Sequence, residues 1–163
     1  MDIAHQQFLN KATQQAEQAG HIWPVMAACE AALESGWGKS ALAIEGHNLF
    51  VCRQHATPIY ETIALPTREY ILGQYIQVNA YWVSYPTEAD CFTDRMQTLR
   101  RLPIYYGAAL SATNPIDYVR EVSKSWSTDP ERAAKVIAIY NEVTGTTTGT
   151  IVTTKTTGTT GPQ

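Results

Sequence analysis

Glu34-Ser35-Gly36-Trp37-Gly38-Lys39-Ser40 is the stretch on which the reading of this chain turns, together with the run Pro24 to Leu33 before it. Pro24 suits the first turn of a helix. Val25, Met26, Ala27, Ala28, Ala31 and Ala32 make that helix buried or half-buried. Gly36 and Gly38 stop it. A carboxylate is left near the negative end of the helix dipole, beside the indole of Trp37. Both surroundings disfavour the charged form, so Glu34 is expected to be held protonated. A protonated carboxyl group is what cleavage of a glycosidic bond requires as general acid.

Working outward, Asp2 caps a first helix that runs to about Ala19, with Ile3, Phe8, Leu9 and Ala12 on one face and Gly20 at its end. After the glycine turn, a short helical piece is expected from Ser40 to Ile44, closed by Gly46. Asn48-Leu49-Phe50-Val51 then leads into extended structure. Between 58 and 85 the residues are β-branched and aromatic. Ile59–Leu65 reads as one strand and Thr67–Ile71 as another short one. Tyr75–Ala80 alternates and Tyr81-Trp82-Val83 extends it, with Pro66 and Gly73 as punctuation. This is the pattern of a small antiparallel hairpin or sheet.

Helix returns at Thr87, which caps a segment to about Arg101 with Asp90 three positions on. Pro103 breaks it. Asn114-Pro115 starts another helix through about Lys124. Asp129-Pro130 opens the last, whose stripe is Ala133, Val136, Ile137 and Tyr140. The domain is expected to occupy 1–143. The remaining 144–163 hold eleven Thr among twenty residues, too polar to bury much surface, and read as a tail or linker. Pairing of Ile151-Val152-Thr153 as an edge strand is the alternative.

The bulk properties narrow the function classes. The chain has 163 residues with 44% hydrophobic content, enough for one domain with a core. Its net charge of -3 does not mark a binder of nucleic acid or membrane surfaces. No stretch is long and apolar enough to insert in a membrane, and no signal peptide is visible at Met1-Asp2-Ile3-Ala4-His5. Cys29, Cys52 and Cys91 do not make a disulfide framework and are read as buried thiols, with one bridge as the alternative. Cys52 and His55 form a C-x-x-H pair without a second pair to complete a zinc site, so neither metal nor cofactor is expected.

The motifs in order are Glu34-Ser-Gly-Trp-Gly-Lys-Ser, Leu42-Ala43, Asn48-Leu49-Phe50, Thr67-Arg68-Glu69-Tyr70 with Gly73, Trp82-Val83-Ser84-Tyr85-Pro86-Thr87, Asp94 and Leu99, Pro103-Ile104-Tyr105, and Ser125-Trp126-Ser127-Thr128-Asp129-Pro130. Over roughly residues 5 to 143 this series resembles the glucosaminidase domain of glycoside hydrolase family 73, found in autolysins, phage lysins and the flagellar rod-assembly hydrolase. The resemblance implies an α+β, mostly helical, lysozyme-like fold with a small β-hairpin lobe closing one side of a groove. It implies a peptidoglycan hydrolase that cuts the glycan strand at a β-1,4 bond, acting on the bacterial cell wall, outside the cytoplasm, as a monomer. Cleavage after N-acetylglucosamine is favoured. The alternatives are a muramidase, a lytic transglycosylase or a non-catalytic glycan-binding module.

Carried over residue by residue, the resemblance makes Glu34 the catalytic acid and Glu69 a second catalytic carboxylate. Glu69 would activate a water on an inverting route; without a second carboxylate nearby, the substrate's 2-acetamido group is the alternative nucleophile. The candidate sugar contacts are Trp37, Asn48, Phe50, Tyr85, Tyr105 and Trp126. Glu30, one turn before Glu34, is read as structural. Three departures from the family pattern stand out. Trp126 replaces a tyrosine, Val83 replaces an arginine, and His47 and Val51 replace the usual Asn and Gly.

Overall fold

A computed structural model describes residues 1–54 and 59–145, apart from the side chains of Glu69 and Tyr70. His55 and the Ile151-Val152-Thr153 segment, with nearly all of the tail, lie outside the described residues. The centre of the fold is helix α2, Pro24–Ser35, in which Met26, Ala27, Ala28, Cys29, Ala31 and Ala32 are all fully buried. Its small side chains let neighbours approach on several sides, and burial of a mostly apolar helix all round is what places it at the core. Helix α1, Ile3–Gln18, packs along it through Leu9, Ala12 and Ala16. Asp2 caps α1 by accepting from the His5 amide at 2.8 Å.

The end of α2 is built by its own sequence. Gly36 adopts a left-handed conformation (φ 56°), and the Trp37 amide reaches back to the Ala32 carbonyl at 2.8 Å. Ser35 Oγ donates to the Ala31 carbonyl and accepts from the Gly38 amide. The chain is thereby turned sharply into α3, Ala41–Gly46, capped by Ser40.

Two strands, β1 (Glu61–Ile71) and β2 (Gln74–Ser84), form one antiparallel hairpin. Leu72 and Gly73, both at positive φ (50° and 81°), make its two-residue turn, the geometry that matches strand twist. Pro66 was expected to separate two short strands, but β1 runs through it, with Pro66 opposite Asn79. In a two-stranded sheet each strand is an edge, so a residue without an N–H is accommodated. The base of the hairpin is anchored where Ala80 and Trp82 pack on Leu42 of α3, with Ile63 and Leu65 against them. Its tip projects: Leu72 is 99% exposed and Tyr75 75%.

Asn48–Val51 differs from the expected extended segment. His47 and Val51 both take positive φ (48° and 57°), and the Asn48 side chain closes the loop by bonding the Cys52 amide and the Cys52 and Val83 carbonyls. The chain then runs beside β2, with Arg53 bridged to Trp82.

Four helices complete the body: α4 (Glu88–Arg101), α5 (Pro103–Leu110), α6 (Pro115–Trp126) and α7 (Arg132–Thr144). Thr87 caps α4 and Asn114 caps α6 through side-chain bonds to the amides of Asp90 and Asp117. From sequence, Pro103 is expected only to break the preceding helix. It also opens α5, because a proline ends one helix yet suits the first turn of the next. The lysozyme-like α+β expectation holds: among the described residues the fold is mostly helical with one small antiparallel hairpin. Cys29, Cys52 and Cys91 are buried free thiols.

Candidate active site

Two carboxylates stand one turn apart on α2. Glu30 is fully buried, and its Oε2 accepts from Arg95 Nη2 of α4 at 2.7 Å and from Arg132 Nη2 of α7 at 2.8 Å. Burial alone would raise its pKa, but the two guanidiniums beside it hold the carboxyl below the ordinary range. Arg95 is itself fully buried, sandwiched between the Trp126 ring at 3.5 Å and the Phe50 ring at 4.9 Å. These charges tie α2, α4, α6 and α7 together at one point.

Glu34 emerges from that cluster. Arg132 Nε donates to its Oε1 at 2.6 Å, while Arg132 Nη1 donates to Ser123 Oγ at 2.8 Å. Burial works against the charge on Arg132, and Glu30 and Glu34 together more than offset it, so its pKa is raised. The Glu34 side chain retains 17% exposure. It lines a cleft of about 550 Å³ together with Val51, Cys52, Arg53, Trp82, Tyr106 and Trp126. One wall is the base of the hairpin and the 51–53 segment. The other is α5, the end of α6 and the loop at Ser127–Thr128. A cleft of this volume is in the range that takes a small ligand or a short run of sugar rings.

The surroundings of Glu34 correct the sequence reading in one respect. The Trp37 indole does not stand over the carboxyl. It lies on α1, stacked on His5 with centroids 3.8 Å apart and edge-on to Phe8. The positive φ of Trp37 (60°) swings its side chain there. The partner of Glu34 is instead Arg132, a cation from the last helix.

Other expected sugar contacts are placed as follows. Trp126 lines the cleft, with its Nε1 donating to the Phe50 carbonyl at 3.1 Å. Asn48, Phe50 and Tyr85 do not reach the cleft. Asn48 is spent on loop closure, Phe50 packs on Phe92 and under Arg95, and Tyr85 OH donates to Asp94 at 2.6 Å. Each is 2% exposed or less and packs within the body of the protein. Tyr105 is 58% exposed on α5, beside Tyr106, which lines the cleft in its place. Glu69 pairs with Ile76 on the hairpin, and its side chain lies outside the described ones.

Beyond the residues expected from sequence, the site includes Arg95, Arg132, Arg53, Trp82 and Tyr106. Arg95 carried a signal, since it sits in the apolar stripe of Cys91, Phe92, Met96 and Leu99 on α4. Arg132 carried less, because a basic residue near the start of an amphipathic helix looks like any solvated one. Among the described residues no group of three His, Cys, Asp or Glu is arranged to hold a metal.

Residues 10–145 match the sequence pattern of the family described as glucosaminidase, mannosyl-glycoprotein endo-beta-N-acetylglucosaminidase. The chain belongs to the glucosaminidase family. Among its relatives is the peptidoglycan hydrolase FlgJ of Pseudomonas aeruginosa, 31% identical over an alignment of 119 residues that covers 70% of this chain and 30% of that protein. An autolysin of Enterococcus faecalis is 26% identical over 144 residues, covering 82% of this chain and 19% of the relative. The chain thus spans under a third of the length of these two relatives. In structure, the catalytic domain of the autolysin Auto from Listeria monocytogenes superposes with a TM-score of 0.77 at 25% identity, covering 88% of this chain and 86% of that one.

Proposed function

We propose that this glucosaminidase-family chain hydrolyses β-1,4 bonds in the glycan strands of peptidoglycan, at the bacterial cell wall, as an endo-β-N-acetylglucosaminidase. The observation that carries the reading is Glu34 at the end of a buried helix, with one oxygen held by Arg132 and the side chain lining a cleft of sugar size. Family membership and the peptidoglycan-hydrolase relatives support the choice of substrate.

Glu34 donates a proton to the leaving glycosidic oxygen as the bond to C1 breaks. Water adds at C1 and gives up its proton to a carboxylate, which we assign to Glu69 on the hairpin. Arg132 fixes the orientation of the Glu34 carboxyl group. Trp126, whose indole N–H donates to the Phe50 carbonyl and whose ring is backed by Arg95, offers the cleft a rigid aromatic surface for a sugar ring.

Mass spectrometry of the ends released from digested cell wall tests the reading. Reducing N-acetylglucosamine ends are expected. Reducing N-acetylmuramic acid ends would make the chain a muramidase, anhydro ends a transglycosylase, and binding without new ends a glycan-binding module. A Glu69→Gln variant that keeps full turnover would remove Glu69 from the mechanism and leave the substrate's acetamido group as nucleophile.

A further inference from the structure

A second groove, of about 500 Å³, lies beside the cleft and shares Ser127 and Thr128 with it as a common rim. Its floor and sides come from Arg120, Ser123 and Lys124 of α6, from Asp129 in the following loop, and from Ala133 of α7. The wall between groove and cleft is spanned by one guanidinium: Arg132 donates to Glu34 on the cleft side and to Ser123 Oγ on the groove side.

Two cations one helical turn apart face this groove. Among the described residues each is paired with a carboxylate three residues back on its own helix, Arg120 with the exposed Asp117 at 3.5 Å and Lys124 with the half-buried Glu121 at 2.7 Å. Both cations are well exposed, and pairs of this kind at the surface contribute little, so either side chain can turn to a ligand anion. The carboxylate in the groove is already engaged, since Asp129 accepts from Lys135 Nζ at 2.6 Å and from the Glu131 amide at 2.9 Å. Ser123 Oγ accepts from Arg132, which leaves its own proton to donate. Hydroxyl, guanidinium and ammonium together suit a carboxylate.

We infer that this groove binds the carboxylate-bearing peptide branch of the same glycan strand whose sugar backbone occupies the cleft. The inference rests on the peptidoglycan reading above. In peptidoglycan every second sugar carries a peptide rich in carboxylates. A strand laid past Glu34 therefore presents a branch at the cleft edge, where the Ser127–Thr128 rim opens to the groove. The site selects strands that still carry their peptides over bare polysaccharide.

The test uses an Arg120→Gln/Lys124→Gln variant with an unfolding midpoint matched to the unsubstituted chain. Both proteins are assayed on wall freed of phosphate polymers, with peptides either retained or removed by an amidase. We expect KM on peptide-bearing wall to rise about tenfold in the variant with kcat little changed, and the two proteins to differ less than about twofold on peptide-free wall. Equal loss on both substrates, or on neither, overturns the proposal. So does a defect that appears only when phosphate polymers are left in place, which would make the ligand a phosphate. If the unsubstituted chain cuts neither substrate, the hydrolase reading fails separately. The groove is then read by titrating a soluble stem peptide. Amide shifts in α6 and α7 that vanish in the variant uphold it, and no shifts overturn it.

Discussion

Glu30 and Glu34 are the same side chain on adjacent turns of α2, and their settings are opposite. Glu30 is fully buried: two guanidiniums, the Phe50 ring and the stack on Trp126 close it off from the surface. Around Glu34 one oxygen is held by Arg132 and the side chain borders an open cleft. The inner turn is where the helices are joined, and the outer turn is where a substrate meets a carboxyl group. Arg132 belongs to both, since it bonds each carboxylate through a different nitrogen. The difference teaches that a buried ionic cluster can act as the frame for a site that is itself exposed.

The sharpest way to break this comparison is at the inner turn. Glu30→Gln leaves Arg95 and Arg132 buried with half their counter-charge, and should destabilise the fold by about 3–5 kcal/mol. Urea unfolding measures it; a loss under about 1 kcal/mol would show that the cluster is not what joins the helices.

A pH titration probes the same region. His21 packs on Phe50 and Phe92, and one ring nitrogen lies 3.0 Å from the Phe92 carbonyl. Burial, with a smaller opposing effect from that carbonyl, lowers its pKa from 6.5 to about 4. The unfolded chain therefore takes up this proton first as pH falls. Stability attributable to His21 is full above pH 6.5 and is lost progressively down to about pH 4, by on the order of 3 kcal/mol. Unfolding midpoints across that window should fall in the unsubstituted chain, and His21→Phe should flatten the slope.

Trp126 lies between the two regions. Trp126→Phe removes the bond to the Phe50 carbonyl and part of the stack on Arg95, at a cost of about 1–2 kcal/mol. It should also raise KM for glycan, which a purely structural tryptophan would not do. The smallest effect is expected at the hairpin tip. Leu72→Ser, at a residue almost fully exposed, should shift stability by less than about 0.5 kcal/mol. A larger change would mean that the tip is covered by something.

The parts of this fold that were legible in the sequence are those set by local chemistry. Asp2, Thr87 and Asn114 cap helices where their side chains suggest, and Gly36 ends α2 in the left-handed conformation that glycine favours. The Gly73 turn was also visible. Two elements were misread because one residue type serves two purposes. Pro66 sits inside an edge strand, and Pro103 starts a helix as well as stopping one. In the site, Glu34 stood out because an acid at a helix C-terminus asks for a reason. Its partner did not stand out, because Arg132 is 98 residues away and only the packing of α7 on α2 brings them together. Phe50, Tyr85 and Asn48 read equally well as ligand contacts or as packing in the sequence, and each lies buried in the structure. Aromatic and amide side chains serve either purpose, and burial decides which.

The comparison reduces to one variant. Glu34→Gln keeps an oxygen for Arg132 to bond, and the side chain is only partly buried. The account predicts a loss of unfolding free energy of about 1–3 kcal/mol, because the Arg132 side of the pair is buried, with release of new reducing ends from cell wall reduced by about 10²–10⁴-fold. Turnover within a few-fold of the original in a folded Glu34→Gln protein would contradict it.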